Sequence, residues 1–181
     1  MKQRSFIPRS VDGWAEIERE GYVPGEKTNV VRHTLVGGRK ERGDDPGPGL
    51  EVRYFSVPPG AVTRLEKHEH EHYVIVGEGV GVAIVGERAC EVRRNDVVYV
   101  APLQAHQFVN RGNETFGFFC VVTATRDFSQ SLAPDELARM LASPAGAYLD
   151  PDGAPPPRAR PAQASGGILP AEREASKCFT T

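Results

Sequence analysis

Cysteine is scarce in this sequence, and the few cysteines are poorly placed for the usual cysteine-based sites. The chain has three, Cys90, Cys120 and Cys178, with no CxxC pair among them. An odd number at wide spacing favours neither a disulfide framework nor a thiolate zinc site. Cys120 lies in an apolar run and is interpreted as a buried core thiol without a nucleophilic role.

Net charge and long apolar runs are also missing. The 22 basic and 24 acidic side chains give a formal charge of -2, which provides no positive field for a phosphate backbone and disfavours general nucleic-acid binding. No uncharged apolar stretch, including 116–125, has the roughly 20 residues of a membrane-spanning helix. The basic start at residues 1–4 is not followed by the apolar run of a signal peptide. We therefore expect a cytoplasmic protein with no nucleic-acid or membrane partner.

The middle of the chain consists of short β-type runs separated by turn-forming residues. The 181 residues include 19 glycines and 15 prolines, enough for many turns. Runs spaced by about 8 to 12 residues, with no helix between them, predict an all-β sandwich or barrel in one domain. The glycines of 77–81 lie between two such runs and indicate a tight turn rather than a dinucleotide loop. The predicted strands cover residues 29–36, 50–57, 61–68, 72–76, 80–85, 89–92, 97–100, 106–109 and 116–123.

Both ends of the chain differ from this β-rich middle. Residues 1–28 are predicted to be a helical or extended segment, because Ser10 is a suitable cap for the helical apolar spacing that follows it. Residues 29–142 are predicted to form the barrel and a C-terminal helix that begins at Pro134. Residues 143–181 are rich in proline and alanine, and we expect a flexible tail that adds nothing to the core.

Histidine is concentrated in one part of the chain, and this is the clearest functional signal in the sequence. Four of the five histidines are His68, His70, His72 and His106. Alternate side chains of an extended chain share a face, so Glu66 and the first three histidines are expected to point the same way. Imidazole and carboxylate groups suit Fe, Mn, Ni, Zn or Cu better than Ca or Mg. The run alone is equally typical of a solvated, charged strand.

The spacing around these histidines resembles the first motif of the cupin superfamily. That motif reads G, five residues, HxH, three or four residues, E, six residues, G. The same intervals separate Gly60, Glu66, His68, His72 and Gly79 in this chain. The carboxylate stands where the first histidine is expected, and a histidine stands where the carboxylate is expected.

The second cupin motif ends in H, three residues, N, which His106 and Asn110 match. The resemblance spans about residues 50–124 and implies a double-stranded β-helix, the cupin jelly-roll barrel. It also implies one divalent transition metal, with Fe(II) favoured and Mn, Ni, Zn or Cu possible. The implied metal ligands are Glu66, His68, His72 and His106. His70 is interpreted as a pocket residue, with the alternative that it replaces His72 as a ligand.

Further pocket candidates share a face with the implied ligands. Arg64 is expected on the same strand face as Glu66, where it is suited to bind a substrate carboxylate. The alternative interpretation is that Arg64 is an ordinary surface residue. Tyr99, Phe108 and Asn110 suit the wall of a small, mostly apolar cavity, and their alternative is ordinary barrel core.

The resemblance implies a metal-dependent enzyme that acts on a small organic molecule. We expect an Fe(II) dioxygenase in which Glu66, the candidate catalytic residue, or an adjacent group receives a proton. The alternatives are a Mn- or Zn-dependent isomerase, lyase or decarboxylase, and a non-catalytic module that binds a metal or a small ligand. Exposed sheet edges favour a homodimer, which is common among cupins.

Overall fold

The computed structural model describes residues 5–10, 13–14, 16–22, 29–152 and 178–179. No helix in this part of the chain is both long and apolar enough to cross a membrane. The helices are α1 (Pro134–Ala142) and a 3-10 helix at Pro144–Ala147. The strands are β1 (Arg9–Ser10), β2 (Gly13–Trp14), β3 (Glu20–Gly21), β4 (Val31–Val36), β5 (Leu50–Val57), β6 (His72–Glu78), β7 (Val80–Val85), β8 (Arg88–Arg93), β9 (Val97–Val100), β10 (His106–Val109), β11 (Phe116–Thr123) and β12 (Cys178–Phe179).

The strands form two main antiparallel sheets. One has the order β3-β4-β5-β11-β6-β9 and the other the order β10-β7-β8-β12. Their inner faces share one apolar core, in which the Phe108 ring from the smaller sheet lies 4.6 Å from the Phe118 ring of the larger one. The all-β prediction is confirmed, and this packing encloses the site described below.

The burial of alternate residues explains why these segments form strands. On β6, Val74 and Val76 are buried in the core while Tyr73 and Ile75 on the other face are exposed. This alternation is the pattern of a strand with one face on the core and one toward solvent. The position of His72 on β6 gives it the same inward direction as the two valines.

Gly79 lies in the turn between β6 and β7, which confirms the interpretation of the glycine-rich run. Its φ is +67°, and an added Cβ would lie 2.2 Å from the carbonyl oxygen of Thr115. A larger residue is therefore excluded both by backbone conformation and by space. The following Gly81 has the Phe116 ring against it, so a Cβ there would meet that ring at 2.4 Å.

Residues 1–28 were predicted to be helical or extended, and the helical alternative near Ser10 is wrong in the described residues. Arg9–Ser10 and Gly13–Trp14 instead pair as a two-stranded antiparallel ribbon. The Trp14 ring packs against Tyr54 and Phe119 on the outer face of the larger sheet. That contact and the +124° φ of Gly13 favour the ribbon over the helix that local spacing indicated.

Residues 61–68 also differ from the prediction, since they form isolated bridges rather than a continuous strand. Val62 bridges to Val109, and Glu66 bridges to His106. Lys67 bridges to Gln130, so the segment pairs at single positions rather than in a continuous ladder. The two bridges to β10 are enough to hold this segment along that strand.

The C-terminal helix is confirmed, but the chain after it contributes more than a flexible tail. In the described residues after α1, Ala145 and Leu149 are buried in a second apolar cluster. Met140 of α1 and Ile84 of β7 belong to the same cluster. These apolar side chains cover the smaller sheet, so the core extends at least to Leu149. Residues 153–177 lie outside the described residues.

A disulfide joins Cys90 on β8 to Cys178 on β12, which contradicts the expectation of no disulfide. The two residues are direct partners in the antiparallel pairing, and 88 positions separate them in sequence. Spacing alone therefore gave no indication of the bond. Cys120 is a free, buried cysteine.

We predict that Cys178→Ser removes the covalent attachment of β12 and lowers the free energy of unfolding. The disulfide restricts the conformations of the unfolded chain by closing a long loop. Its removal should therefore lower the free energy of unfolding by about 2–4 kcal/mol. Denaturant unfolding with and without reductant measures it, and reductant should have no further effect on the variant. Three titratable thiols in unreduced, denatured wild-type protein would contradict the bond.

Candidate metal centre

Three buried histidines from two segments of the chain converge inside the barrel. His68, His72 and His106 each offer a ring nitrogen within 4.8 Å of those of the other two. His72 begins β6 and His106 begins β10. The bridge between Glu66 and His106 aligns the segment before β6 with β10, and it thereby places His68 beside His106.

The hydrogen bonds of these rings leave nitrogen atoms available. Nδ1 of His106 lies 3.0 Å from the carbonyl oxygen of Gln104 and donates to it, which leaves Nε2 as the electron-pair donor. Nε2 of His72 and Nδ1 of His68 are buried and have no hydrogen-bond partner in the described part of the chain. A buried polar atom without a partner is unfavourable, and a metal ion would satisfy it. Three imidazoles fit a divalent transition metal.

The protonation of these rings is consistent with that role. Burial lowers the pKa of His72 far below its usual range, and nearby His106 adds to the effect. Burial also lowers the pKa of His106, to about 4. Both rings are therefore neutral near pH 7, and the neutral ring is the form that binds a metal.

Glu66 lies beside the histidine cluster. Its Oε1 accepts a hydrogen bond from the Tyr22 hydroxyl at 2.6 Å and lies 3.4 Å from Nε2 of His68. Burial opposes ionisation, but the hydrogen bonds from His68 and Tyr22 outweigh it and lower the pKa to about 2. The carboxylate is thus ionised and adjacent to the cluster. Its predicted roles as ligand and proton acceptor stay predictions.

His70 has a different environment from His72. Its Nδ1 lies 2.5 Å from Oδ1 of Asp127, and the same carboxylate accepts hydrogen bonds from the backbone N–H groups of Glu69 and His70. His68, His70 and Asp127 form a second group of possible donors. His72, by contrast, is grouped with His106. The structure therefore places His72 in the three-histidine cluster and His70 next to it, in contact with a carboxylate.

The cluster opens into a cavity of ≈ 240 Å³. Its wall includes the pocket candidates Arg64, His70 and Phe108. Five arginines are among the described residues of this wall, and of these only Arg64 was expected from the sequence. These are Arg32, Arg39, Arg53, Arg64 and Arg126. The phenylalanine rings of the wall belong to Phe55, Phe108, Phe118 and Phe128.

Two predicted pocket residues lie elsewhere. Tyr99 is half exposed on the outer face of β9, where its hydroxyl donates to Glu71, because its register partner on β6 is the outward Tyr73. Asn110 is buried, but its amide donates to the carbonyl oxygens of Val57 and Glu114. Asn110 therefore holds the turn after β10, and neither residue lines the cavity.

Cys120 lines this cavity, which the sequence did not indicate. Its Sγ accepts a hydrogen bond from Nη2 of Arg53 at 3.2 Å and lies 3.4 Å from Nδ1 of His72. Burial raises the pKa of the thiol, and Arg53 opposes this. Strand alternation could have placed Cys120 inside with Phe118. Which residues face it across β5 and β6 depends on strand order, which the sequence does not reveal.

We predict that His106→Ala and Glu66→Ala each lose most bound metal while the barrel remains folded. The His106 variant removes one imidazole of the cluster, and the Glu66 variant removes the carboxylate beside it. Neither change touches the apolar core. Elemental analysis gives the metal content, and circular dichroism reports on the fold. Tyr99→Phe, outside the cavity, is the control. Full metal occupancy in both variants would show that the metal site lies elsewhere.

The model of the cupin domain family matches residues 53–122. A curated relative from Rhodospirillum rubrum, named 1-methylthio-D-xylulose 5-phosphate methylsulfurylase, is 36% identical over 134 residues, 74% of this chain and 80% of the relative.

Solved structures of cupin-2 domain proteins resemble this chain along most of their length. One from Rhodospirillum rubrum has a TM-score of 0.66 and 33% identity, and the match covers 80% of this chain and 95% of that one. Another from Halorhodospira halophila has a TM-score of 0.59 and 34% identity, and the match covers 89% of this chain and 97% of that one.

Proposed function

Because this chain belongs to the cupin superfamily, we propose that it is a metal-dependent enzyme that acts on a small anionic molecule in the histidine cavity. The predicted cupin barrel is confirmed by the fold and its relatives. One observation carries the proposal: three buried histidines, with ring nitrogens free to bind a metal, open into a cavity whose wall is rich in arginine.

The bound group is a divalent transition metal held by His68, His72 and His106, with Glu66 beside them. Fe(II) is the favoured ion, and Mn, Ni, Zn and Cu suit the same donors. When bound there, a metal would act as a Lewis acid toward a substrate oxygen.

The substrate class that fits best is a sugar phosphate or a similar small anion. The relative of 36% identity is named for action on 1-methylthio-D-xylulose 5-phosphate. Guanidinium groups bind phosphate and carboxylate oxygens with two parallel hydrogen bonds. The arginine-rich wall supports the same class of substrate for this chain.

The residues of this chain then bind the substrate, exclude water and receive a proton. The phenylalanines of the wall exclude bulk water, which strengthens polar interactions inside the cavity. The Tyr22 hydroxyl holds the carboxylate of Glu66 in place. Glu66 is ionised and receives a proton from a substrate whose binding has made that proton acidic.

A dioxygenase is the second candidate function. The combination of histidines and a carboxylate beside a cavity lined with phenylalanine suits Fe(II) and dioxygen as well. An isomerase, lyase or decarboxylase, and a non-catalytic binding module, are alternatives that the same experiment addresses. The expected homodimer and cytoplasmic location stay predictions.

We predict that the protein binds about one transition metal and converts 1-methylthio-D-xylulose 5-phosphate only when the metal is present. Elemental analysis measures the metal, and phosphorus NMR follows the substrate in parallel with an oxygen electrode. His72→Gln should lose the metal and the turnover, whereas Tyr99→Phe should keep both.

The other outcomes separate the remaining candidates. Oxygen consumption with enols, diols or thiols would favour the dioxygenase. Metal-dependent binding of the sugar phosphate without turnover of any substrate would favour a binding module. Absence of metal after purification and reloading with each candidate ion would contradict the proposed function.

A further inference from the structure

Arg53 is a buried cation on the inner face of the barrel. It lies on β5, directly across from Cys120 on β11, and its exposed fraction is 9%. Its Nη2 donates to the Cys120 thiol, and its guanidinium lies 5.3 Å from the centre of the Phe55 ring. Nε is buried without a hydrogen-bond partner among the described residues. Arg53 therefore contacts a neutral thiol and an aromatic ring while facing the cavity.

A second buried guanidinium, that of Arg126, belongs to the same wall. It forms an ion pair with Glu51 at 2.5 Å, and both side chains are 4% exposed. Burial lowers the pKa of Arg126, and repulsion from Arg53 lowers it further. The two guanidiniums are thus close enough to repel each other, and the carboxylate of Glu51 is in direct contact with Arg126.

The positive charge at this place exceeds the negative charge. Glu51 is ion-paired with Arg126 and attracts the buried Arg53 only at longer range, so one carboxylate stands against two buried positive charges. The carboxylate of Glu66 is already engaged by Tyr22 and His68. A buried charge without a counter-charge is unfavourable, so this wall would be stabilised by an anion that enters the cavity.

Other arginines of the wall are engaged differently. Arg32 pairs with Glu20 on the neighbouring strand. Arg39 donates to the carbonyl oxygens of Arg126 and Asp127 and lies over the ring of Phe128. Arg53 is distinguished from them by its depth and by its unpartnered Nε. It is also one side chain away from the histidine cluster, since the Cys120 thiol contacts both Arg53 and His72.

We propose that Arg53, with Arg126 beside it, is an anion-binding subsite that takes the phosphate or carboxylate group of a substrate whose other end meets the histidine cluster. This inference rests on the proposed function, because it assigns the anionic end of the same substrate. The guanidinium provides two N–H groups in a fixed plane, which matches two oxygens of either group. Arg53 then selects anionic substrates.

The test is calorimetric titration of the full-length protein with inorganic phosphate and, separately, with acetate. Each titration is done on protein as purified and on protein treated with a chelator. The variants are Arg53→Met, which removes the charge, and Arg53→Lys, which keeps it. Arg139→Gln removes one exposed positive charge of α1 and is the matched control.

We expect phosphate to bind wild-type protein and Arg139→Gln equally, with or without metal. Arg53→Met should weaken this binding by about tenfold to hundredfold, the usual effect of losing a hydrogen bond to a charged group. Arg53→Lys should have an intermediate affinity for phosphate, because lysine keeps the positive charge but lacks the planar pair of N–H donors. Acetate binding that exceeds phosphate binding, with the same dependence on Arg53, identifies the anion as a carboxylate and supports the subsite equally.

Thermal melting separates an anion subsite from a purely structural role. Arg53→Met should be at least as stable as wild type without phosphate, because it replaces a buried charge that is not fully neutralised with an apolar side chain. It should also lose the rise in Tm that phosphate gives the wild type. If Arg53→Met does not fold, the Arg53→Lys comparison decides the matter. In substrate assays, the loss should fall on KM for the phosphorylated substrate, with no matching loss for its dephosphorylated form.

Two results would overturn the subsite. One is the absence of phosphate and acetate binding in wild-type protein. The other is unchanged anion affinity in Arg53→Met and Arg53→Lys. Failure of the proposed function is a separate result, since phosphate binding to chelated protein needs neither metal nor turnover. Conversely, an Arg53 variant that loses anion binding but keeps its full metal content would show that the subsite and the metal centre are separate.

Discussion

One pair of backbone hydrogen bonds connects the two parts of the chain that carry the candidate metal ligands. The N–H of His106 donates to the carbonyl oxygen of Glu66 at 2.9 Å, and the N–H of Glu66 donates back at 3.3 Å. The 40-residue separation is thereby reduced to direct contact. His68 and His72 follow on the same segment, so the convergence of imidazoles depends on this pair. The position of the cavity depends on it in turn.

The barrel interior makes the site chemically unusual because it buries ionisable groups at the end of an apolar core. On three adjacent strands, Arg53, Cys120 and His72 contact one another in a row. Burial keeps the imidazole neutral and disfavours the thiolate, while the guanidinium keeps its charge. Such a row offers a metal-binding group and an anion-binding group to the same small cavity. The apolar walls raise the strength of both interactions by excluding water.

Local sequence patterns predicted much of the fold, because strand alternation and turn residues act over a few positions. The strands 50–57, 97–100 and 116–123 have the predicted bounds. The histidine positions followed from motif spacing. Features that depend on which strands are neighbours were missed. The bond from Cys90 to Cys178 and the placement of Tyr99 on the outer face both follow from sheet order, which no local pattern encodes.

We propose that His68, His72 and His106 together hold one metal ion in this cavity. The most direct test is a crystal structure of metal-loaded protein with anomalous diffraction data measured at the absorption edge of the ion. We expect one strong anomalous peak at about 2.0–2.2 Å from a ring nitrogen of each histidine. A peak held by His70 and Asp127 instead, or no peak in this cavity in protein with full metal content, would contradict it.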